Sequence, residues 1–424
     1  MAWRIVAMVL LIGLVGGCGA DVPAPTPAEA KSKVIRLRPG PNAQEETQTA
    51  LIKAKPGDTV EFAAGTFDFT MGLSLAVEGV TVRGQGMDQT ALSFKKQNAG
   101  SEGLLVTRGN FVLEDLSIDD TKGDAIKVNG AENVICRRVR TQWTSGSKTS
   151  NGAYGLYPVQ CKNVLIEKCV AIGASDAGIY VGQSRNIIVR GCRAERNVAG
   201  IEIENCIDAD VYENTATDNA GGLLVFDLPG LQVKNGRRVR VFKNQVLANN
   251  HENFAPKGNT VATVSPGTGI VVMATDQVEV FQNTVKDNQS FSIAVSSYYG
   301  LGKPLNDKEY DPIPEGIYIH DNAISGGGMK PAGEAAVLAP LLGKPVPDIV
   351  FDGVRNASKF VKGVEPPELR IYIKDNGKAT FANLHFDKLD AKDPAGSLAR
   401  IEHDLHPYEG ELPRLAGVQW PGVE

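Results

Sequence analysis

Residues 178–200, "GIYVGQSRNIIVRGCRAERNVAG", run into "GIEIENCIDADVYENTATDNAG", which repeats the same order of small, apolar and polar residues. A fixed period of this length is the signature of a stacked solenoid, and it constrains the fold more than any other feature of the chain. Registered on the small residue that opens each unit, starts fall at Ala125, Gly155, Gly178, Gly200, Gly222, Gly269 and Phe291, with steps of 30, 23, 22, 22, 47 and 22 residues. Within a unit the pattern alternates as a strand does: Ile179 and Val181 share one face and Tyr180 takes the other. The motif V-x-I-x-x-N-x-V recurs, for example as Ile187, Val189, Cys192 and Ala194, then as Val239, Val241, Asn244 and Val246. Stacked units place equivalent strands side by side at ~4.8 Å, so that each coil satisfies the backbone of the next.

The turns carry the same phase. Asn214, Asn244 and Asn283 fall at one corner and Asn197, Asn219 and Asn288 at another, where amides can form ladders between coils. The opening glycine fits a corner that needs positive φ or a close backbone approach. Cys169 and Cys192 occupy the same corner of successive coils and are expected as buried thiols. Residues 44–54 predict an amphipathic helix that covers the open end of the solenoid, and residues 326–348 break the phase with room for a small helix. The last ~50 residues follow no repeat and suit a cap for the second end.

The N-terminus reads as an export signal. An apolar run after Arg4, too short to span a membrane, ends in "VGGC" at Cys18. That string resembles the lipobox of bacterial lipoproteins, which implies lipidation of Cys18 and loss of residues 1–17. Glycine at position 19 leans toward an outer-membrane anchor facing the periplasm, and residues 18–34 read as a proline-rich tether. With 44 basic and 49 acidic residues the net charge is −5, which gives no electrostatic basis for nucleic-acid binding. The five cysteines beyond Cys18 are an odd set, which disfavours an obligatory disulfide framework.

Taken together, these repeats resemble the right-handed parallel β-helix of the pectin-lyase-like architecture. More narrowly, residues 35–330 resemble exported, often lipid-anchored β-helix repeat proteins of Gram-negative bacteria, with the closest likeness in residues 226–270. The resemblance implies an all-β solenoid with a short N-terminal capping helix, insertions at 144–153 and 226–268, and irregular coils and a cap over 331–424. It implies no reaction, because one fold hosts many functions.

Repeat phase also stacks the outward side chains. One column reads Lys127, Tyr157, Tyr180, Glu202, Leu224 and Val271; the next reads Asn129, Val159, Gly182, Glu204, Phe226 and Met273. Rings beside carboxylates suit a polysaccharide, so Tyr157, Tyr180, Glu202 and Glu204 are the expected ligand-binding residues, on a face toward solvent or a covering loop. His251 and Glu252, with Asp227 on the same excursion, are acid/base candidates, and Lys127 can neutralise a substrate carboxylate. The chain lacks the Asp-Pro-His-Asp segment of resembling C5-epimerases and the in-phase aspartate cluster of pectate lyases, and Asp176 and Asp218 read as isolated. A calcium site of scattered loop oxygens is compatible with the sequence; zinc and nucleotide cofactors have no motif. The leading expectation is an envelope lipoprotein that binds a glycan or another envelope component. A polysaccharide lyase or uronate C5-epimerase is the alternative, and a scaffold for a protein partner in the envelope is the third.

Overall fold

The computed structural model describes residues 32–388 and 400–420. The signal segment, Cys18 and the tether up to residue 31 lie outside them, and the first strand, Val34–Leu37, begins at the last residue read as tether. No helix among the described residues is long and apolar enough to cross a membrane.

The expected solenoid is present. Strands Ala177–Gly182, Arg185–Arg190 and Arg193–Glu195 make one coil and pair in parallel with Ala199–Glu204, Ile207–Tyr212 and Thr215–Thr217 of the next. First strands stack into an 11-stranded sheet, and the others into a 20-stranded sheet. The result is a right-handed parallel β-helix. Inward residues such as Ile179, Val181, Ile187, Val189 and Ala194 are fully buried, and each large aliphatic contributes roughly 1.5–3 kcal/mol by leaving water. Helix α1 (Ala43–Lys53) lays Ala50 and Leu51 over the first coil. The register pairs Thr268 with Phe291, so the coil read as opening at Phe291 opens in phase at Ser292.

Corners explain the recurring glycines and asparagines together. At Gly178 an added Cβ would lie 2.6 Å from Nδ2 of Asn197, and at Gly200 it would lie 2.9 Å from Nδ2 of Asn219. Close approach is therefore what these glycines supply, and left-handed φ falls instead to residues such as Asn163, Asn186 and Asp208. Two buried ladders result. One runs Asn214, Asn244, Asn283, Asn322 and Asn376, each Nδ2 donating to the next Oδ1 at 2.9–3.0 Å. The other runs Asn197, Asn219, Asn249 and Asn288 at 2.9–3.1 Å. Cysteines extend the first ladder: Cys192 N donates to Asn214 Oδ1, and Cys169 N donates to Cys192 Sγ. All five described cysteines are buried free thiols.

The 144–153 insertion stays at a corner, where Asn151 Nδ2 donates to Gly173 O and Ser147 Oγ donates to Arg196 O. The segment at 326–348 forms α2 (Gly333–Leu342). Beyond the repeats, Tyr408 packs on Phe381 at 4.6 Å between ring centroids and helps cover the second end.

The chain then turns back as a strap across the outer face of the longer sheet. Glu411 pairs with Lys374, Arg414 with Glu279, and Val418 N donates to Asp210 Oδ2. Arg414 also touches His320 and lies 5.3 Å from the Tyr318 ring centre and 5.7 Å from that of Phe281. It thus clamps the end of a stacked column, Tyr212, Phe242, Phe281 and His320, whose rings are 4.8–5.1 Å apart. Because Glu279 is 2% exposed, Arg414→Ala removes a charged partner from a buried carboxylate; the half-exposed arginine limits the loss to about 1–2 kcal/mol. Limited proteolysis should then release the strap before the solenoid is cut.

Candidate active site

The outer face of the shorter sheet carries the aromatic and acidic columns. Register places Lys127, Tyr157, Glu202, Leu224 and Val271 in one row, with Tyr180 opposite Glu202, and Glu204, Phe226 and Met273 in the next. Tyr154 and Ala177 form a neighbouring row. Much of this face is covered. The 226–268 insertion returns over it through Phe254, Ala255, Val261 and Val264, and residues 298–310 add Tyr298 and Tyr310, sealing Leu224, Phe226 and Met273 under apolar side chains. Tyr180 and Glu202 are 4% and 2% exposed, so the middle of the column is a roofed floor and not an open groove. The open part lies at the N-terminal edge of this roof. There Asp124, Lys127, Tyr154, Tyr157 and Glu204 are half-buried.

Three tyrosines form the wall of this opening. Centroid separations are 4.4 Å for Tyr154–Tyr157, 4.6 Å for Tyr154–Tyr180 and 5.0 Å for Tyr157–Tyr180. Lys127 Nζ stands 5.1 Å above the Tyr157 ring and 3.9 Å from Glu102. Asn259, at the tip of the insertion, donates from Nδ2 to Asp176 Oδ2 at 3.0 Å and ties the roof to the floor.

The carboxyl groups here are held toward their protonated forms, chiefly by burial. Asp124 is pushed up to about 6, by burial opposed by Lys127. Asp176 rises to about 7, by burial and then the charges of Glu204 and Asp124, against the Asn259 hydrogen bond. Burial lifts Glu202 well above the usual carboxylate range, with Asp176 and Glu204 adding to it. Glu204 is also raised by burial, although it accepts from Tyr180 Oη at 2.7 Å. The Glu202 and Glu204 carboxyls share a hydrogen bond, and among the described residues Oε2 of Glu202 has no other partner. Tyr157 rises to about 12 by burial and stays protonated, a neutral donor at the opening. Such a set can hold and release protons near neutral pH beside a flat aromatic surface.

The expected residues divide between places. Lys127, Tyr157, Tyr180, Glu202 and Glu204 come together. Asp227 is fully buried beneath Tyr310, whose hydroxyl donates to the Asp227 carbonyl, and neither of its carboxylate oxygens has a partner. His251 sits at the base of the roof, its Nδ1 3.5 Å from Asp218 and its ring against Phe254; Glu252 faces solvent. The structure does not join these two to the carboxyl group. Asp176 and Asp218, read as isolated, are partnered by Asn259 and His251. Tyr154, Asp124, Asp176 and Asn259 were not expected. The first three lie one or two residues before the small residue that starts their coils, off the outward columns, so counting along the columns does not reach them; Asn259 lies in an insertion that has no phase. Among the described residues no three His, Cys, Asp or Glu side chains converge to hold a metal ion.

Residues 78–236 and 144–306 each match the family described as the right handed beta helix region. No curated protein matches the sequence. Among solved structures, an A-module of a mannuronan C-5 epimerase from Azotobacter vinelandii is similar at 15% identity, covering 73% of this chain and 89% of that one, with a TM-score of 0.46. An alginate lyase from Paenibacillus sp. str. FPU-7 is similar at 15% identity, covering 70% and 96%, with a TM-score of 0.47. The overlapping family matches run from residue 78 to residue 306, more than half of the 424 residues, and the chain belongs to the right handed beta helix family.

Proposed function

We propose that the protein acts on a glycan chain at the tyrosine-walled opening of the shorter sheet, with its carboxyl groups carrying protons. One observation carries this reading: Asp124, Asp176, Glu202 and Glu204 crowd against three tyrosine rings at the edge of a roof, all with proton affinities raised by burial, to about 6 at Asp124 and about 7 at Asp176. Sugar faces stack on such rings, and carboxyl groups poised near the working pH serve as general acid and base. Asp124, ionised above about pH 6, is the accessible base, and Tyr157 is the neutral donor beside it. A second reading, proton abstraction at C5 of a uronate by a lyase or epimerase, is favoured by Lys127 alone, whose ammonium over Tyr157 can meet a carboxylate. The lipid anchor at Cys18, facing the protein to envelope glycans from the outer membrane, belongs to the proposal and is checked by radiolabelled fatty-acid incorporation in wild type and Cys18→Ala.

The test is a panel of neutral, amino and acidic polysaccharides, with products followed as new reducing ends, unsaturated ends and inverted C5 centres. Asp124→Asn should lower turnover by roughly a hundredfold or more, the scale of a lost acid/base group. His251→Ala should stay within about twofold of wild type, since its ring contacts Asp218 and Phe254 instead. The opposite ranking would move the chemistry to the insertion, and absence of both product and binding would end the glycan reading.

A further inference from the structure

At one corner of the solenoid a regular coil spends only Gln183 and Ser184 between strands Ala177–Gly182 and Arg185–Arg190. The last coils leave the period there: strand Phe291–Ser296 is followed only at Ile317–His320, and strand Ile349–Phe351 only at Ile371–Lys374. These two excursions and the cap beyond Asn383 surround a cavity of about 520 Å³, whose lining includes none of the residues of the tyrosine opening. Its hydrogen-bonding groups are unequally used. Each carboxylate of the lining already meets a side chain of the protein: Glu315 meets Lys359, Glu365 meets Arg355 at 3.5 Å, and Glu402 meets Nε2 of His385 at 3.3 Å. Two donors of the lining are left over. Arg370 spends Nε on the Glu365 carbonyl at 3.3 Å, and among the described residues its two terminal nitrogens have no partner. Tyr408, 8% exposed, accepts from Asn383 Nδ2, and its own hydroxyl proton meets no acceptor among the described residues. The Asn383 amide is not free to turn and take that proton, because its Oδ1 accepts from the backbone N of His385 at 2.9 Å. Burial keeps Tyr408 protonated and therefore a donor. Gly353, at a φ of 83°, allows this close grouping, since a Cβ there would lie 2.7 Å from His385 N.

We propose that this cavity is a second binding site, for a small organic hydroxycarboxylate whose carboxylate pairs with Arg370 and whose hydroxyl oxygen accepts from Tyr408. A guanidinium fork and a neutral hydroxyl both call for acceptor oxygens, and the fork matches a planar carboxylate. Three carboxylates in the same lining disfavour a dianion such as phosphate. The site stands apart from the glycan reading above and does not depend on it.

Calorimetric titration of the purified protein at about pH 7 tests it with gluconate and glucuronate as hydroxycarboxylates, glucose as the uncharged counterpart, acetate as the bare carboxylate, and inorganic phosphate. At least one hydroxycarboxylate should bind roughly tenfold or more tightly than glucose, acetate and phosphate. Arg370→Gln should weaken it about tenfold or more and Tyr408→Phe about fivefold, with melting curves read by circular dichroism confirming the fold. Glucose binding as tightly removes the carboxylate from the assignment, acetate binding as tightly removes the hydroxyl, and phosphate binding as tightly removes the preference for a planar monoanion; each overturns the proposal. Binding that survives Arg370→Gln but is lost in Tyr157→Ala belongs to the tyrosine opening and overturns it as well, as does no binding by any probe. The comparison of probes uses the wild-type protein, so it decides even where a substitution unfolds the cap.

Discussion

Asp227→Asn is expected to raise the stability of the protein by several kcal/mol at about pH 8.5 and to leave it nearly unchanged at about pH 4. Asp227 has no exposed surface, and among the described residues neither carboxylate oxygen has a well-formed hydrogen bond; the amides of Gly236 and Asn235 beside it only partly offset its burial. Burial lifts its proton affinity from 3.8 to about 8, with the charges of Asp276 and Glu204 adding to it. The sign follows from which state holds the proton. Below the ordinary value both states are protonated and the group is silent. Between about 4 and 8 the unfolded chain ionises while the native one keeps its proton, so the native state loses about 1.4 kcal/mol per pH unit. Above that range the loss is complete, at most about 6 kcal/mol, and the amide, which never ionises, escapes it. Asp276 and Asp176, each raised to about 7, slope the same way. Glu61 and Asp321, lowered chiefly by arginine and histidine hydrogen bonds, contribute in the opposite sense: their stabilisation is present above the usual carboxylate range and lost as pH falls below it. Melting temperatures from about pH 4 to 9 should therefore be highest near pH 5 in the wild type, and the mutant's curve should be flatter on the alkaline side. Parallel curves for the two proteins would mean that Asp227 is ionised and solvated in the native state.

The fold was legible because stacking is in register. Once Gly178, Gly200 and Gly222 were aligned, every outward row followed by counting, and Lys127, Tyr157, Tyr180, Glu202 and Glu204 met as expected. Counting failed where the chain leaves the period. The 226–268 insertion contains no repeat, so nothing in its order of residues told that Val261 and Val264 would join Tyr180 and Leu224 in one covered cluster, or that Asn259 would reach Asp176 across 83 positions. His251 looked chemical because it is a histidine beside a glutamate in a loop, yet the hydrogen bond from its backbone N to Asn219 O holds it at the corner ladder. The C-terminal strap was unreadable for a different reason. It crosses the strands instead of joining the sheet, and its contacts run through isolated side chains such as Arg414, which have no period to reveal them.

Asn244→Ala should destabilise the protein by about 4 kcal/mol and divide its unfolding into two transitions. The side chain has no exposed surface and joins three coils. Its Oδ1 accepts from both the N and Nδ2 of Asn214 at 3.0 Å, and its Nδ2 donates to Val211 O at 2.9 Å and to Asn283 Oδ1 at 3.0 Å. Alanine leaves two donors of Asn214 and the Val211 carbonyl without these partners, and each buried loss costs about 1–3 kcal/mol. Asn283 Oδ1 still accepts from the backbone at 244, so the far side of the ladder survives. Because a solenoid is held by contacts between neighbouring coils, a weakened interface lets one side melt before the other, which calorimetry resolves as a shoulder. Asn244→Asp separates hydrogen bonding from shape. The carboxylate can still accept from Asn214, but it cannot donate to Val211 or Asn283, and its charge is buried, so its cost should grow as pH rises. The surface ladder supplies the contrast. Asn186 Nδ2 also donates to the preceding asparagine, at 3.1 Å, but this amide is only partly buried and the residue holds a left-handed φ of 56°. Glycine keeps that conformation at little strain, so Asn186→Gly should cost no more than about 1 kcal/mol. Equal losses at the two positions would mean that backbone shape, and not the interior amide ladder, binds the coils together.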